Sequence, residues 1–292
     1  MPSIPDCKQE EITRHLHRYP PKPWPKEFAE RELVPTKEEL ETIESCEEAF
    51  SQTLIDLDLE PTAPFPTEQI HFFLPSDPVW TMQGELGGFY RDGHVGFQRE
   101  ARATLASKAC HELGHAHAKH ALSVSIKSSD EKTLLIQPRH EGQTFYPDNK
   151  KTEDGFLLSQ FVGFNEGVVE LLANSVRRKL VKMHGDEFTE AERRALINEV
   201  SYPFHITLVR TLVEDVHKQS GIKLKEAWRM LVNDLREGTY VFIKQLTAIH
   251  PEAGKILLAM GKSNDDAKAA ATALGERYAI VNRIRAVPRK EG

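Results

Sequence analysis

The chain has 292 residues, of which 39% are hydrophobic and 28% are charged. This is ordinary usage for a globular protein, and the length suffices for one large core or two modest ones. No apolar run approaches the roughly 18 residues of a membrane span, and the opening of the chain lacks the basic and apolar stretches of a secretory signal. We therefore expect a cytoplasmic protein that does not bind membranes. Because the net charge is −6 and basic residues are scattered, we also expect no binding to nucleic acid.

The three cysteines, Cys7, Cys46 and Cys110, lie far apart in the sequence and cannot all pair. This spacing argues against a disulfide framework and is consistent with a reducing compartment. Cys110 is expected to be a small buried residue.

Residues 1–35 are rich in proline and charge and predict an extended lead-in. We expect it to pack on the surface or to be mobile and to contribute little core, so its removal should leave the fold intact. A role in filling or blocking a groove is the alternative. Residues 36–127 then form an N-terminal α/β subdomain. It opens with a helix to about Leu57, because Thr36 and Glu39 have the spacing of a capping box.

Short strands are predicted before the central helix of this subdomain. Residues 70–74 have the character of a buried strand, and residues 89–90 and 95–97 flank an Asp92-Gly93 turn as the strands of a hairpin do. Residues 100–126 are rich in alanine and contain no proline and no glycine except Gly114. This composition favours one long helix.

The rest of the chain divides into an insertion and a helical part. Residues 128–156 predict an inserted hairpin or flexible loop, with a strand candidate at residues 134–136. Residues 157–292 predict a helical C-terminal subdomain because apolar residues recur at helical spacing. The predicted helices cover residues 157–183, 206–216, 224–235, 240–249 and 267–281. The expected fold class is α+β, a small twisted sheet and a central helix followed by a mainly helical part.

The central helix carries the sequence His-Glu-Leu-Gly-His at residues 111–115. On a helix, His111 and His115 differ by about 40° in azimuth, so both imidazoles can reach one ion. Imidazole is a good zinc donor, and Glu112 can hold a water beside the metal without being a ligand. His117 and His120 lie about 240° and 180° from His111, which predicts surface positions. The alternative interpretation is an amphipathic helix whose histidines pack or form hydrogen bonds.

A catalytic zinc needs three protein ligands and an open position. A metzincin would continue the helix with a glycine and a third histidine, where this chain has Ala118 and Ala121. A cysteine ligand, as in peptide deformylases, lacks a suitable motif around Cys7 or Cys46. About fifty residues after His115, however, the next predicted helix carries Asn-Glu-x-x-x-Glu at residues 165–170.

The two motifs resemble those of the gluzincins, the thermolysin-like zinc metallopeptidases. The stretch at residues 166–172, Glu-Gly-x-x-Glu-Leu-Leu, is also similar to the small bacterial members called minigluzincins. The resemblance covers residues 89–178 and implies a zincin-like fold, a Zn²⁺ cofactor and a peptide or protein substrate. It further implies that residues 94–98 form the edge strand along which the substrate lies. The site residues that it implies are His111, His115 and Glu166 as metal ligands, Glu170 as the carboxylate that orients a ligating histidine, and Asn165 at the helix entry.

The resemblance also implies a mechanism, in which Glu112 is the general base that activates a water at the zinc. In gluzincins a tyrosine or histidine from the C-terminal part donates to the oxyanion, and the candidates here are Tyr202 and His205. Packing of these two side chains at a helix start is the alternative. Tyr146 and His140 of the insertion are further candidates.

Small residues on both motif helices predict that the two helices approach closely, as a shared ion requires. These residues are Ala109, Gly114, Ala116 and Ala118 on the first helix and Gly167, Val168 and Ala173 on the second.

Two other classes of protein remain open on the sequence. One is a regulatory or sensory protein that keeps the zinc site for folding or cleaves a single partner; the intact Glu112 favours an enzyme over this class. The other is a helical interaction protein without metal, which predicts no bound zinc. The sequence does not indicate the oligomeric state or the cleavage preference.

Overall fold

A computed structural model describes residues 23–80, 87–91, 93–118, 120–126, 134–141, 144–145, 161–199 and 201–283 of the chain. The fold is α+β, as predicted, with a small mixed sheet near the N-terminus and a mainly helical C-terminal half. The helices are α1 (Lys26–Ala29), α2 (Lys37–Asp56), α3 (Arg102–Ala116), α4 (Val162–His184), α5 (Glu190–Asn198), α6 (Pro203–Ser220), α7 (Leu224–Glu237), α8 (Val241–Ile249), α9 (Ala253–Leu258) and α10 (Asn264–Leu274). The strands are β1 (Ile70–Phe73), β2 (Gly88–Arg91), β3 (His94–Gln98), β4 (His120–Ile126), β5 (Leu134–Glu141) and β6 (Thr144–Phe145).

The first sheet has the strand order β1-β3-β2, with β1 parallel and β2 antiparallel to β3. The predicted hairpin is confirmed, and Gly93 in its turn has a φ of 87°, which glycine adopts without steric cost. Strand β3 lies in the middle of the sheet, so the expectation that residues 94–98 form its edge is wrong. Within the described residues β2 is the edge strand on this side. The hairpin determines only that β2 and β3 pair. Strand β1, which comes earlier in the sequence, pairs with β3 and so makes β3 the central strand.

Helix α2 begins and ends as predicted. The Thr36 side chain accepts a hydrogen bond from the Glu39 backbone, and the Glu39 carboxylate accepts one from the Thr36 backbone, which completes the capping box.

The described part of the lead-in packs against the sheet more closely than its composition suggested. Leu33 forms an antiparallel bridge with Phe72, and the Trp24 ring stacks on His71 with 3.9 Å between ring centroids. Phe28 is buried in a small aromatic cluster with Phe73, Val79, Trp80 and Phe89. Residues 23–33 therefore contribute core, contrary to expectation, because three spaced apolar side chains suffice to anchor a short segment. Residues 1–22 lie outside the described residues.

The helix predicted over residues 100–126 is too long. Helix α3 ends at Ala116, and residues 120–126 form strand β4, which pairs antiparallel with β5. Leu122, Val124 and Ile126 alternate with serines, a strand pattern that outweighs the absence of glycine and proline once a partner strand is available. The strand predicted at residues 134–136 is confirmed as part of β5, and the hairpin begins before residue 128.

The C-terminal half is helical as predicted. Helix α4 begins at Val162, while residues 157–160 of its predicted range lie outside the described residues. The last predicted helix is interrupted at Gly275, where a φ of 112° ends α10 before a 3₁₀ segment (Glu276–Arg283). The main core is one cluster of buried side chains that includes residues from Ile43 to Val281. The N-terminal and C-terminal subdomains therefore share it. None of the helices in the described part of the chain has the length and apolar character that a membrane crossing requires.

Candidate metal centre

Helix α3 carries His111 and His115 on the face that meets helix α4. The same helix also buries Leu105, Ala109 and Leu113 in the core. Their burial fixes the rotation of the helix about its axis. Gly114 permits the approach of the two helices, because a Cβ at this position would lie only 2.9 Å from Cγ1 of Val169 on α4. The close helix contact predicted from the small residues is thus present.

Three potential ligand atoms converge between the two helices. Nε2 of His115 lies 3.2 Å from Nε2 of His111. Oε2 of Glu166 lies 3.3 Å from Nε2 of His115 and 3.5 Å from Nε2 of His111. Among the described residues, these three side chains form the group of histidine, cysteine and acidic residues that is close enough to hold one ion. The sequence motifs, separated by a long stretch of chain, are brought together as predicted.

The triangle of donor atoms fits a zinc ion. A tetrahedral zinc with bonds of about 2.0 to 2.1 Å separates its ligand atoms by roughly 3.3 Å, close to all three observed distances. Two imidazole nitrogens and one carboxylate oxygen are also the donor set of many catalytic zinc sites. The residues present therefore suit the metal that the resemblance implies.

Glu170 fixes the orientation of His111 from behind. Its Oε2 accepts a hydrogen bond from His111 Nδ1 at 2.7 Å, which directs Nε2 towards the ligand triangle. Its Oε1 accepts hydrogen bonds from Arg177 at 2.5 Å and from the backbone of Ser201 at 3.2 Å. Both Glu170 and Arg177 are completely buried. The contact of Glu170 with His111 is the one that the resemblance implies.

The charges of the ligand residues favour a cation at their centre. Burial alone would raise the pKa of Glu166, but His115, His111 and the Lys262 ammonium outweigh it and hold the pKa well below its usual value. Burial likewise acts to lower the pKa of His111, but hydrogen bonds to Glu166 and Glu170 outweigh it and raise this pKa well above its usual value. The carboxylates thus favour positive charge at the triangle, and a divalent cation would supply it in exchange for the proton of His111.

Glu112 is partly buried beside the edge strand β2. A Cβ placed on Gly88, the first residue of β2, would lie 3.1 Å from Oε1 and 3.2 Å from Cγ of Glu112. Burial raises the pKa of Glu112, while the nearby His111 and His115 act against it. A carboxylate with a raised pKa is better suited to take up and release a proton near neutral pH.

Tyr202 and His205 occupy different positions relative to the ligands. The Tyr202 ring lies nearly parallel to that of His111, with centroids 6.0 Å apart. Its backbone has a φ of 53°, a strained conformation for a bulky residue and one that is found preferentially at functional sites. His205 is fully buried; its Nε2 donates to the carbonyl of Gly261 at 3.1 Å, and burial lowers its pKa. The Tyr202 ring thus lies against a candidate ligand histidine, whereas the His205 ring is bonded to the backbone in the core.

The predictions for five further residues have different outcomes. His117 is not a surface residue: its side chain is buried and Nε2 lies 2.8 Å from the Glu47 carboxylate, because α2 packs against this side of the chain where α3 ends. Asn165 is buried in the first turn of α4, in agreement with a role at the helix entry. The side chains of His120 and His140 and all of Tyr146 lie outside the described residues.

Lys262 was not found by sequence reasoning. Its Nζ lies 2.7 Å from Oε1 of Glu166, the carboxylate oxygen that does not face the histidines. It follows α9, far from either motif in the sequence, and no local pattern links a lone lysine to the site.

The buried cysteines are not part of the ligand group. Cys110 is fully buried, as predicted, and the Cys46 thiol donates to the Ala106 carbonyl at 3.6 Å. Both are free thiols. Cys7 lies outside the described residues.

Comparisons of the chain with protein-family models, with curated proteins and with solved structures find no match. What the site can do has to follow from its own geometry and donor chemistry.

Proposed function

We propose that this chain is a zinc-dependent metallopeptidase of the gluzincin type, with a zincin-like arrangement of sheet and helices. The observation that carries the proposal is the triangle of His111 Nε2, His115 Nε2 and Glu166 Oε2, whose edges measure 3.2 to 3.5 Å, backed by Glu170 on His111 Nδ1. His111, His115 and Glu166 would hold the ion. When bound, zinc acidifies water and polarises a carbonyl oxygen.

The residues around the ligands divide the remaining tasks. Glu112 accepts the proton of the attacking water and returns it to the leaving nitrogen. Tyr202, stacked on His111, is the candidate donor to the developing oxyanion. Glu170 keeps the ligating nitrogen of His111 directed at the ion.

The peptide or protein substrate would lie along β2. This strand is the edge of the sheet in the described part of the chain, and its first residue, Gly88, has no side chain that would separate an added strand from Glu112. Backbone hydrogen bonds to an edge strand bind extended peptides with little dependence on their sequence. The scissile bond of such a peptide would pass close to the general base.

The test separates the two motif glutamates. Wild type, Glu112→Gln and Glu166→Ala are purified with added zinc, and metal content and turnover of a peptide library are measured. We expect about one zinc per chain in wild type and in Glu112→Gln, with kcat/KM of Glu112→Gln reduced by at least about 10² because its general base is lost. Glu166→Ala should lose zinc and activity together.

Glu190→Gln, an exposed glutamate on α5, is the matched control and should keep both zinc and activity. Substoichiometric zinc in wild type would contradict the metal site and favour an interaction protein without metal. Full zinc occupancy without turnover of any library peptide would favour a regulatory protein over a peptidase.

A further inference from the structure

The two carboxylate oxygens of Glu166 contact different partners, and Lys262 is one of them. Oε2 faces His115 and His111 at 3.3 and 3.5 Å, whereas Oε1 lies 2.7 Å from Lys262 Nζ. The Glu166 carboxylate is buried, and the Lys262 side chain is 49% exposed, so the ammonium lies between the ligand and solvent. We infer that Lys262 is a positioning residue that restricts Glu166 to a single-oxygen metal ligand. This inference rests on the proposed zinc site.

The backbone around Lys262 is held in place by the helix that carries Glu166. The Phe161 backbone donates to the Leu258 carbonyl at 3.0 Å, and the Gly163 backbone donates to the Met260 carbonyl at 2.9 Å. A Cβ on Gly163 would lie 1.9 Å from the Gly261 carbonyl oxygen, so only glycine permits this contact. Gly163 precedes Glu166 by less than one helical turn, and the backbone that carries Lys262 is therefore fixed relative to Glu166.

Two more contacts hold the segment from the other side. His205 Nε2 donates to the Gly261 carbonyl, and Ser263 begins α10 through a capping box with Asp266. The position of Lys262 is thus set by α4, α6 and α10. This arrangement also gives the buried His205 its function, which is to fix the residue next to Lys262.

The restriction matters because a carboxylate can bind a metal through one oxygen or two. A catalytic zinc has three protein ligands and an open position, and a second oxygen from Glu166 would occupy coordination space that substrate and water need. The Lys262 ammonium holds Oε1 by Coulomb attraction and a charge-assisted hydrogen bond. It therefore opposes a rotation of the Glu166 carboxylate that would bring Oε1 to the ion. Removing it frees Oε1 for the ion.

The experiment compares the visible absorption of Co²⁺-loaded wild type, Lys262→Met, Lys262→Gln and Lys262→Arg. High-spin Co²⁺ absorbs more strongly in a four-coordinate site than in a five-coordinate one. We expect wild type and Lys262→Arg to share the strong absorption, and Lys262→Met and Lys262→Gln to lose most of it. Lys255→Met, which removes an exposed lysine of α9 paired with Glu252, should match wild type.

Circular dichroism establishes that each variant is folded, and the neutral Gln variant serves if the Met variant is not. A Co²⁺ spectrum unchanged in the folded Met or Gln variant would overturn the role of Lys262 while leaving the metal site intact. If wild type itself bound neither Co²⁺ nor Zn²⁺, the proposed function would fail, and this inference with it.

Discussion

Glu170 connects His111, a proposed metal ligand, to a buried arginine about two turns further along α4. The sequence predicts that Glu170 orients a histidine, but the structure adds Arg177, whose guanidinium donates to the same carboxylate inside the core. An unpaired buried charge is far more costly than an unpaired surface charge. Glu170 is therefore expected to serve both the proposed metal site and the stability of the fold.

This double role changes the expected effect of substitution. Glu170→Ala should destabilise the protein by about 3 to 5 kcal/mol, because Arg177 loses its counter-charge. Glu170→Gln keeps an acceptor and should be less destabilised, while zinc affinity falls by about 10- to 100-fold because His111 loses its anionic partner. Urea unfolding and competitive zinc titration measure the two effects. Equal stability of wild type and Glu170→Gln would show that the ion pair with Arg177 contributes little.

At the scale of elements, the contact between α3 and α4 sets the distance between the proposed ligands His111, His115 and Glu166. Alanine at position 114 gains about 1 kcal/mol of helix propensity over glycine, but its Cβ would lie 2.9 Å from Val169 Cγ1. Overpacking of this kind costs about 1 to 3 kcal/mol. We therefore expect Gly114→Ala to lower both the free energy of unfolding and the zinc affinity, as measured by urea unfolding and zinc titration.

Two variants control for this effect. Gly185→Ala places a Cβ at an ordinary 3.6 Å from Arg193 Cδ and should be neutral or slightly stabilising. Adding Val169→Ala to Gly114→Ala removes the clashing methyl groups and should restore zinc affinity. Unchanged affinity in Gly114→Ala would mean that the ligands adjust independently of the helix spacing.

The lead-in gives a second prediction at this scale. A chain that begins at Pro35 lacks Trp24 and Phe28, and burial of one such aromatic side chain contributes about 1.5 to 3 kcal/mol. We expect its Tm to be lower by roughly 5 °C or more than that of a chain beginning at Pro23. Differential scanning calorimetry of the two chains makes the comparison. Equal Tm values would support the original expectation of a dispensable arm.

At the scale of the whole molecule, the proposed metal site lies beside a large hydrophobic core. Helices α3 and α4 carry buried residues along their length, and the same core continues through α6 to the end of the described chain. Small zinc domains, by contrast, are unfolded without their metal. The apoprotein should therefore keep its fold.

Removal of zinc by a chelator should lower the Tm without unfolding the protein at 25 °C. At free zinc about 1,000 times above the Kd, binding adds roughly 4 kcal/mol of stability, which the chelator removes. Calorimetry and circular dichroism with and without EDTA measure this, and Glu166→Ala should show no response to EDTA. Loss of helical signal at 25 °C on chelation would indicate a structural zinc and argue against the proposed catalytic site.

Short spacings in the sequence are enough to predict several local features of this protein. The His111 and His115 pair, the α2 capping box and the Asp92-Gly93 hairpin follow from spacings of two to four residues, because a helix or turn fixes such neighbours whatever surrounds it. The two motifs together also predicted the third member of the ligand group, Glu166, and its neighbour Glu170.

The tertiary structure decided what depends on residues far apart in the chain. Strand β4 exists because β5 pairs with it, and β3 is central because β1 joins it from the other side. The contact of Lys262 with Glu166 and the different surroundings of Tyr202 and His205 depend on how α4, α6 and the segment before α10 pack. A local pattern carries no record of such contacts, because a lone arginine, lysine or histidine is compatible with many environments until the packed core selects one.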